Sequence, residues 1–514
     1  MKGQTTVQAW YEEARVKEYA GNPLIEAMPP ILSEEEAVDR IATSPPLPGD
    51  ERYLPKEIRL HCINRLMHLV QPLSIHLELE AVISSVLRSG YVGRNPMEAG
   101  TWRHLHALAA RNSTVPMFNS TASTFSLIGL SGMGKTTALL SILRMYPQVI
   151  KHTRYQGRDF IHTQIVWLHL QCPSDGSLSG LCHAFFRAID AALGEESHTS
   201  YYKSRRSIAD LVQGMEQKAS TFFIGGIFID ELQNLHTAKT GGKQNMLNFF
   251  VNLINSIGIP VVFVGTNSMI GLFSDIVRNA RRASGQGVYD FKQPSESDAE
   301  WNMLIEAMWD YQWVENPSPL TDRLRGTLYY LTQGVTDFLT KLMILGQRYA
   351  IQSGIEQLNE KVFEHVSETK MKLLQPALDA LRSKDPNRMR KFDDLLPPDV
   401  QLEEMMRGTI FVLPDRIKLL KGRKPESTLS TDAAESTRAG DPRLADSTGP
   451  QGQQTKSSCE SLHAHVPTGD NSQRIGPQPL SSKYDGKSDV FALLREEGLI
   501  LDDPFEFVPV YRAA

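Results

Sequence analysis

One short stretch constrains this chain more than any other. Gly129, Leu130, Ser131, Gly132, Met133, Gly134, Lys135 and Thr136 complete the pattern G-x-x-x-x-G-K-[ST], with Thr137 directly after it. An apolar run, Thr124–Ile128, precedes the pattern and a helical one, Thr137–Met145, follows it. Strand, tight loop and helix are therefore expected in that order. Glycines let backbone N–H groups turn inward around phosphates at the positive end of a helix dipole. In that setting Lys135 reaches the β- and γ-phosphates and the Thr136 hydroxyl ligates Mg²⁺, so ATP and Mg²⁺ are the expected cofactors.

A second signal is the run Ile224-Gly-Gly-Ile-Phe-Ile-Asp-Glu231, an apolar strand that ends in two carboxylates. Asp230 is placed to hold Mg²⁺ through water and Glu231 to polarise the attacking water. A third strand, Pro260–Val264, runs into Gly265-Thr266-Asn267. Thr266 or Asn267 can sit between the carboxylates and the γ-phosphate, or simply cap the next helix. That helix carries Met269, Leu272, Phe273, Ile276 and Val277 on one face and ends in Arg278-Asn-Ala-Arg281-Arg282. Arg282, then Arg281, are candidates for an arginine finger into a neighbouring subunit; the other reading is a cationic cap on the helix dipole.

The rest of the chain sorts by composition. Its 514 residues exceed one compact core, and 41% hydrophobic with 22% charged residues is ordinary for a soluble protein. The net charge of −5 argues nothing about nucleic acid, so basic contacts must be local. Met1–Ala20 has no apolar core of a secretory signal, and the longest apolar runs fall short of the ~20 residues of a membrane helix, which leads us to expect a cytoplasmic location and no membrane. Strands expected at Thr124–Ile128, Gln164–Gln171, Thr221–Ile229 and Pro260–Val264, separated by helical runs over 122–292, imply an α/β domain with a parallel sheet. Around it we expect an N-terminal arm (1–54), a helical extension (55–121), and a helical lid with further helices (293–420). Residues 421–482 are Ser/Thr/Gly/Pro/Gln-rich and are expected to be a disordered linker. The segment 483–514 regains Leu, Phe and Val, as a tethered docking peptide would; a tail folded onto its own core is the alternative.

Taken together, Leu127–Thr137, Phe228-Ile-Asp-Glu-Leu-Gln-Asn-Leu235 and Val264-Gly-Thr266 resemble the AAA+ P-loop ATPases, and among them TnsC, the regulator of heteromeric bacterial transposons, with its relatives TniB and MuB. Gly90-Tyr-Val-Gly-Arg-Asn-Pro96, Leu374–Arg382 and Phe392-Asp-Asp-Leu395 carry the narrower likeness, which spans about 55–400. The lid segment Gln333-Gly-Val-Thr-Asp337 departs from many AAA+ chains in lacking an arginine, which suits a slow switch more than a motor. The resemblance implies a matchmaker that hydrolyses ATP and forms a homo-oligomeric ring or filament on double-stranded DNA. It implies as partners a TnsD/TniQ-type target selector and the TnsA and TnsB transposase subunits. Phosphate contacts would suit such a target-tolerant protein, with Lys151, Arg154 and Arg158 as candidates; Lys203, Arg205 and Arg206 read rather as a solvated face. Two other readings compete: a helicase or initiator loader, and an NTPase scaffold that switches protein partners without DNA.

Overall fold

Short β-branched and aromatic runs set the architecture. In the computed structural model the strands are β1 (Thr6–Gln8), β2 (Phe125–Gly129), β3 (Val149–Tyr155), β4 (Arg158–Ile165), β5 (Trp167–Gln171), β6 (Gly226–Asp230), β7 (Val261–Val264) and β8 (Val288–Phe291). The structure describes residues 6–109, 120–195, 198, 206–237, 246, 249–250, 254, 258–274 and 285–389. The chain divides into two units, Met1–Ile417 and Lys418–Ala514, and every described residue belongs to the first. The expected linker 421–482, the docking segment 483–514, Phe392–Leu395, Arg281, Arg282, Lys203 and Arg205 lie outside the described residues.

Five strands form one sheet in the order β5-β6-β7-β2-β8, and each neighbouring pair is parallel. Strands β2, β6 and β7 are buried at every position, because helices cover both faces; hence their mostly apolar runs, with Ser126 and Asp230 the polar exceptions. The order matters for function. Strand β7 lies between β2 and β6, with Leu127 beside Val264 and Ile229 beside Phe263. This register brings the loop after β2, the acids ending β6 and the turn after β7 to one edge, the carboxyl end where parallel sheets hold ligands.

The strands of this sheet differ from the sequence reading in three details, and the second sheet is an addition. The run Gln164–Gln171 is two strands in two sheets, broken at Val166, whose N–H donates to Gln148 O while Ile165 N–H donates to Phe222 O. The expected strand Thr221–Ile229 starts only at Gly226, because a helix capped by Ser207 continues to Thr221 and Phe223 then turns through a φ of 42°. Strand β8 is an addition: only Phe291 of its four residues is buried, so its apolar signal is weak.

A second sheet, β1-β3-β4, is built on an antiparallel hairpin turned by Gln156 and Gly157, both at positive φ. Strand β1 adds to β3 in parallel, so the N-terminal arm is docked from Thr6 onward. Asn22 Nδ2 donates to Tyr91 O at 2.9 Å, and Tyr155 Oη donates to the Glu26 carboxylate at 2.6 Å. Leu24, Ile25 and Met28 are buried between these anchors.

The helical extension is tied to the lid. Arg59, 3% exposed, donates through both terminal nitrogens to Glu356 at 2.7 and 2.8 Å and also bonds Trp313 O. Trp313, wholly buried, returns its indole N–H to Glu51, and Arg52 Nε donates to Gln312 O. Extension and lid are thereby cross-braced, and the lid helices Ala299–Trp309 and Thr336–Ser353 are set over the sheet edge.

Candidate active site

The loop after β2 turns through three glycines at positive φ: Gly129 (150°), Gly132 (83°) and Gly134 (90°). A Cβ at Gly129 would stand 2.8 Å from Phe291 Cβ and O, so a side chain is excluded there by β8 as well as by φ. Gly134 is the N-cap of the helix Lys135–Leu143, and no atom approaches its missing Cβ within 4 Å. The result is a backbone cradle open on one side at a helix N-terminus.

Lys135, 8% exposed, donates from Nζ to Gly129 O at 2.9 Å and Leu130 O at 2.8 Å. Thr136 Oγ1 donates to Asp230 Oδ2 at 2.6 Å, which joins the helix start to the end of β6. Asp230 is 3% exposed and also accepts the Glu231 N–H on Oδ1 at 2.8 Å. Burial alone would raise its pKa; His169, Thr136 and the Glu231 N–H outweigh that, and the carboxyl sits below its ordinary range. His169 Nε2 lies 3.6 Å from Asp230 Oδ2, just beyond ordinary hydrogen-bond length. Asp230 therefore stays ionised at neutral pH. An ionised carboxylate beside a hydroxyl, at the mouth of a phosphate-shaped cradle, is a donor set that fits Mg²⁺.

Glu231 has a φ of 57°, uncommon for a side chain other than Asn or Gly, and the turn carries its carboxylate out of the strand into solvent. It accepts Gln233 Nε2 at 2.5 Å, and Gln233 Oε1 accepts the Thr266 N–H at 3.2 Å. Gln233 thus links the exposed carboxylate to the turn after β7. Sequence reasoning passes over it; its position two residues after the acids is the available signal. Thr266 Oγ1 shares a hydrogen bond with Ser268 Oγ at 2.9 Å. Thr266 lines the cavity at the sheet edge, and Asn267 is buried away from it.

That cavity, of about 430 Å³, lies between sheet edge, extension and lid and is within the range of small-molecule sites. Ser131 to Thr137, Asp230, Glu231, Gln233 and Thr266 supply its polar wall. Leu66, Leu69, Val70, Leu73, Leu304 and Met308 supply an apolar wall that the motifs do not announce, since these side chains come from the extension and the lid. The lid also touches the loop directly: Asp337 N–H donates to Gly132 O at 2.9 Å, and its carboxylate pairs with Lys341. Asp337 thus faces the loop from the lid segment that lacks an arginine.

The three basic candidates for DNA share the β3–β4 hairpin, away from the cavity. A register shift between His152 and Arg154 lets Lys151 and Arg154 both reach solvent, and Arg158 is exposed at the start of β4. Arg154 lies 3.8 Å from Asp159, an exposed pair of small energetic weight.

Comparison with known proteins follows from this geometry. A family model described as the AAA domain matches residues 119–273. The chain carries an AAA domain. Its fold is that of the AAA+ P-loop ATPases, a parallel sheet flanked by helices with a lid. No curated protein sequence matches the chain. Among solved structures, Cdc6p from Pyrobaculum aerophilum aligns at 13% identity with a TM-score of 0.32, over 51% of this chain and 64% of that one, under two thirds of its length. The RuvB Holliday junction branch migration motor of Thermotoga maritima aligns at 13% identity with a TM-score of 0.29, covering 63% of this chain and 80% of that one. Drosophila ORC bound to DNA aligns at 10% identity with a TM-score of 0.30, covering 65% and 82%. Beside the AAA domain, no helix among the described residues is long and apolar enough to cross a membrane.

Proposed function

We propose that this chain is an ATP-dependent, DNA-binding regulator that oligomerises on double-stranded DNA. In this reading it links a TnsD/TniQ-type target selector to the TnsA and TnsB transposase subunits, and hydrolysis resets the assembly. The observation that carries the ATPase part is the constellation around the loop: Lys135 in the cradle, Thr136 on Asp230, and Glu231 held by Gln233 toward the Thr266 turn. The transposition part rests on the resemblance in the flanking stretches.

In this reading the cradle binds the phosphates through backbone N–H groups, and Lys135 exchanges its two loop carbonyls for phosphate oxygens. Thr136 and Asp230 hold Mg²⁺, which when bound neutralises charge on the phosphates. Glu231 accepts a proton from the attacking water, and Thr266 stands at the γ-phosphate side of the same edge. The carbon walls shared by extension and lid cover the base and ribose, so occupancy bears on the angle between lid and sheet. That coupling is how an ATPase with a short catalytic list can act as an assembly switch.

Electron microscopy of the protein with duplex DNA, in ATP, in ADP and without nucleotide, tests the proposal. Rings or filaments on DNA with ATP, absent with Lys135→Ala, are expected. A monomer in every condition removes the matchmaker reading and leaves the partner-switching scaffold. For the DNA path, charge reversal at Lys151 and Arg154 is expected to weaken binding at all sequences. It should also flatten the salt dependence by up to ~0.9 for each DNA phosphate that is no longer neutralised. Titrations on random duplex over a range of salt measure this, and an unaltered slope takes the hairpin out of the DNA path.

A further inference from the structure

The proposed nucleotide cavity contains a histidine that the phosphate chemistry does not use. His76 lines it, is 7% exposed, and occupies the first turn of the helix Ser74–Val92. Its Nδ1 accepts the backbone N–H of Leu73 at 2.9 Å. A backbone N–H can only donate, so Nδ1 must be the unprotonated nitrogen, and in the neutral ring the proton resides on Nε2. Burial favours that neutral ring and pushes the imidazole down to about 4; the nearby Glu300 carboxylate opposes this only in part. Phe291 meets the ring edge-to-face at 6.0 Å and limits its rotation. His76 therefore brings to the cavity lining an uncharged ring whose one N–H is on Nε2.

Carbon dominates the extension's side of the cavity around that donor, while the lid adds Thr336, Asp337 and Thr340. Leu66, Leu69, Val70, Leu73, Leu304 and Met308 form the carbon wall, and Gln71 and His76 are the polar side chains that the extension contributes. Gln71 directs its Nε2 toward the carbonyl of Pro72 at 3.3 Å. A purine laid against this wall meets the His76 N–H. Adenine presents unprotonated ring nitrogens to such a donor, including N1. Guanine carries N1–H and a 2-amino group on that edge, so the same pose sets donor against donor. Buried donors left unpaired are the strongest source of discrimination between similar ligands.

We propose that His76 is the base-reading residue of this site, its Nε2–H donating to a ring nitrogen of adenine and so setting a preference for adenine over guanine nucleotides. The inference rests on the nucleotide-site reading above and adds the specificity determinant to it. It also explains why a histidine stands three residues after the N-cap, where Glu or Gln would cap equally well.

That equivalence supplies the experiment. Gln and Glu at this position both keep an acceptor for the Leu73 N–H, so His76→Gln and His76→Glu retain the helix cap, whereas only Gln retains a donor. Competition of ATP and GTP against a fluorescent ADP analogue gives the affinity ratio for each protein, with thermal melting as the check on folding. The wild-type chain is expected to prefer ATP by about tenfold or more, the size of one unpaired buried donor. His76→Gln is expected to keep the ratio within about threefold of wild type. His76→Glu is expected to bring it to unity or below, because a carboxylate accepts from guanine N1–H and the 2-amino group and has no donor for adenine N1. A wild-type chain that binds ATP and GTP alike, or a folded His76→Glu that keeps the wild-type ratio, overturns the role of His76 while the nucleotide site stands. Absence of binding by either nucleotide, with Lys135→Ala indistinguishable from wild type, overturns the site itself.

Discussion

Glu231→Gln is expected to lower ATP turnover about 10²- to 10⁴-fold, the usual contribution of a positioned general base. Nucleotide affinity is expected to stay within about threefold, since the amide has the same shape and removes no phosphate interaction. Glu231 stands out of the strand at a φ of 57° and receives the Gln233 side-chain N–H at 2.5 Å. An amide at that position can keep a hydrogen bond to Gln233 by presenting its oxygen, so the substitution isolates the missing basicity. Phosphate release and fluorescent-nucleotide binding measure the two halves. Turnover unchanged in a protein that still binds ATP would show that another group polarises the water. In the proposed switch the variant is also expected to lengthen the life of DNA-bound oligomers, because hydrolysis is what resets them.

Lys135→Ala is expected to weaken ATP on the order of 10²- to 10³-fold, the penalty that follows when one partner of a desolvated, hydrogen-bonded charge pair is truncated. The effect is held below the upper limit by what the lysine does in the empty site. Its Nζ already bonds Gly129 O and Leu130 O, so binding exchanges two carbonyl partners for phosphate oxygens instead of adding them outright. Alanine leaves those carbonyls next to an open cavity that water can enter, and the fold is expected to hold. Calorimetric titration with ATP, alongside circular dichroism, separates the outcomes. Affinity retained in the folded variant would mean that the backbone cradle alone carries the phosphates, and Lys135 would have no role in binding.

The loop and the strand before it were legible because their chemistry is local. Glycines at 129, 132 and 134 are required by backbone angles that the chain adopts within six residues, and the preceding strand shows as a short run rich in apolar residues. Asp230 and Glu231 were legible for the same reason, as acids closing a buried strand. Gln233 was not, because its value lies in reaching both Glu231 and the Thr266 turn, which are adjacent only across β6 and β7. The anchors of the N-terminal arm were not legible for the same reason: Glu26 and Asn22 find their partners at Tyr155 and Tyr91, far along the chain. The basic residues of the β3–β4 hairpin were visible as charges, but the register shift that turns Lys151 and Arg154 to solvent together is a property of strand pairing.

What the sequence by itself determined is the phosphate cradle, the acids at a strand end, and a fold of strands alternating with helices, since each follows from neighbouring residues and the periods of their side chains. Only the tertiary structure decided the strand order β5-β6-β7-β2-β8, which brings the three site-bearing turns to one edge. It also decided the carbon wall, where Leu66 and Val70 of the extension meet Leu304 and Met308 of the lid. It set Phe291 edge-to-face against His76, whose tautomer the Leu73 N–H fixes locally. The reason is physical: a backbone angle or a helix cap is chosen by the residue and its neighbours, whereas a wall or a ring contact needs partners that only long-range packing brings into place.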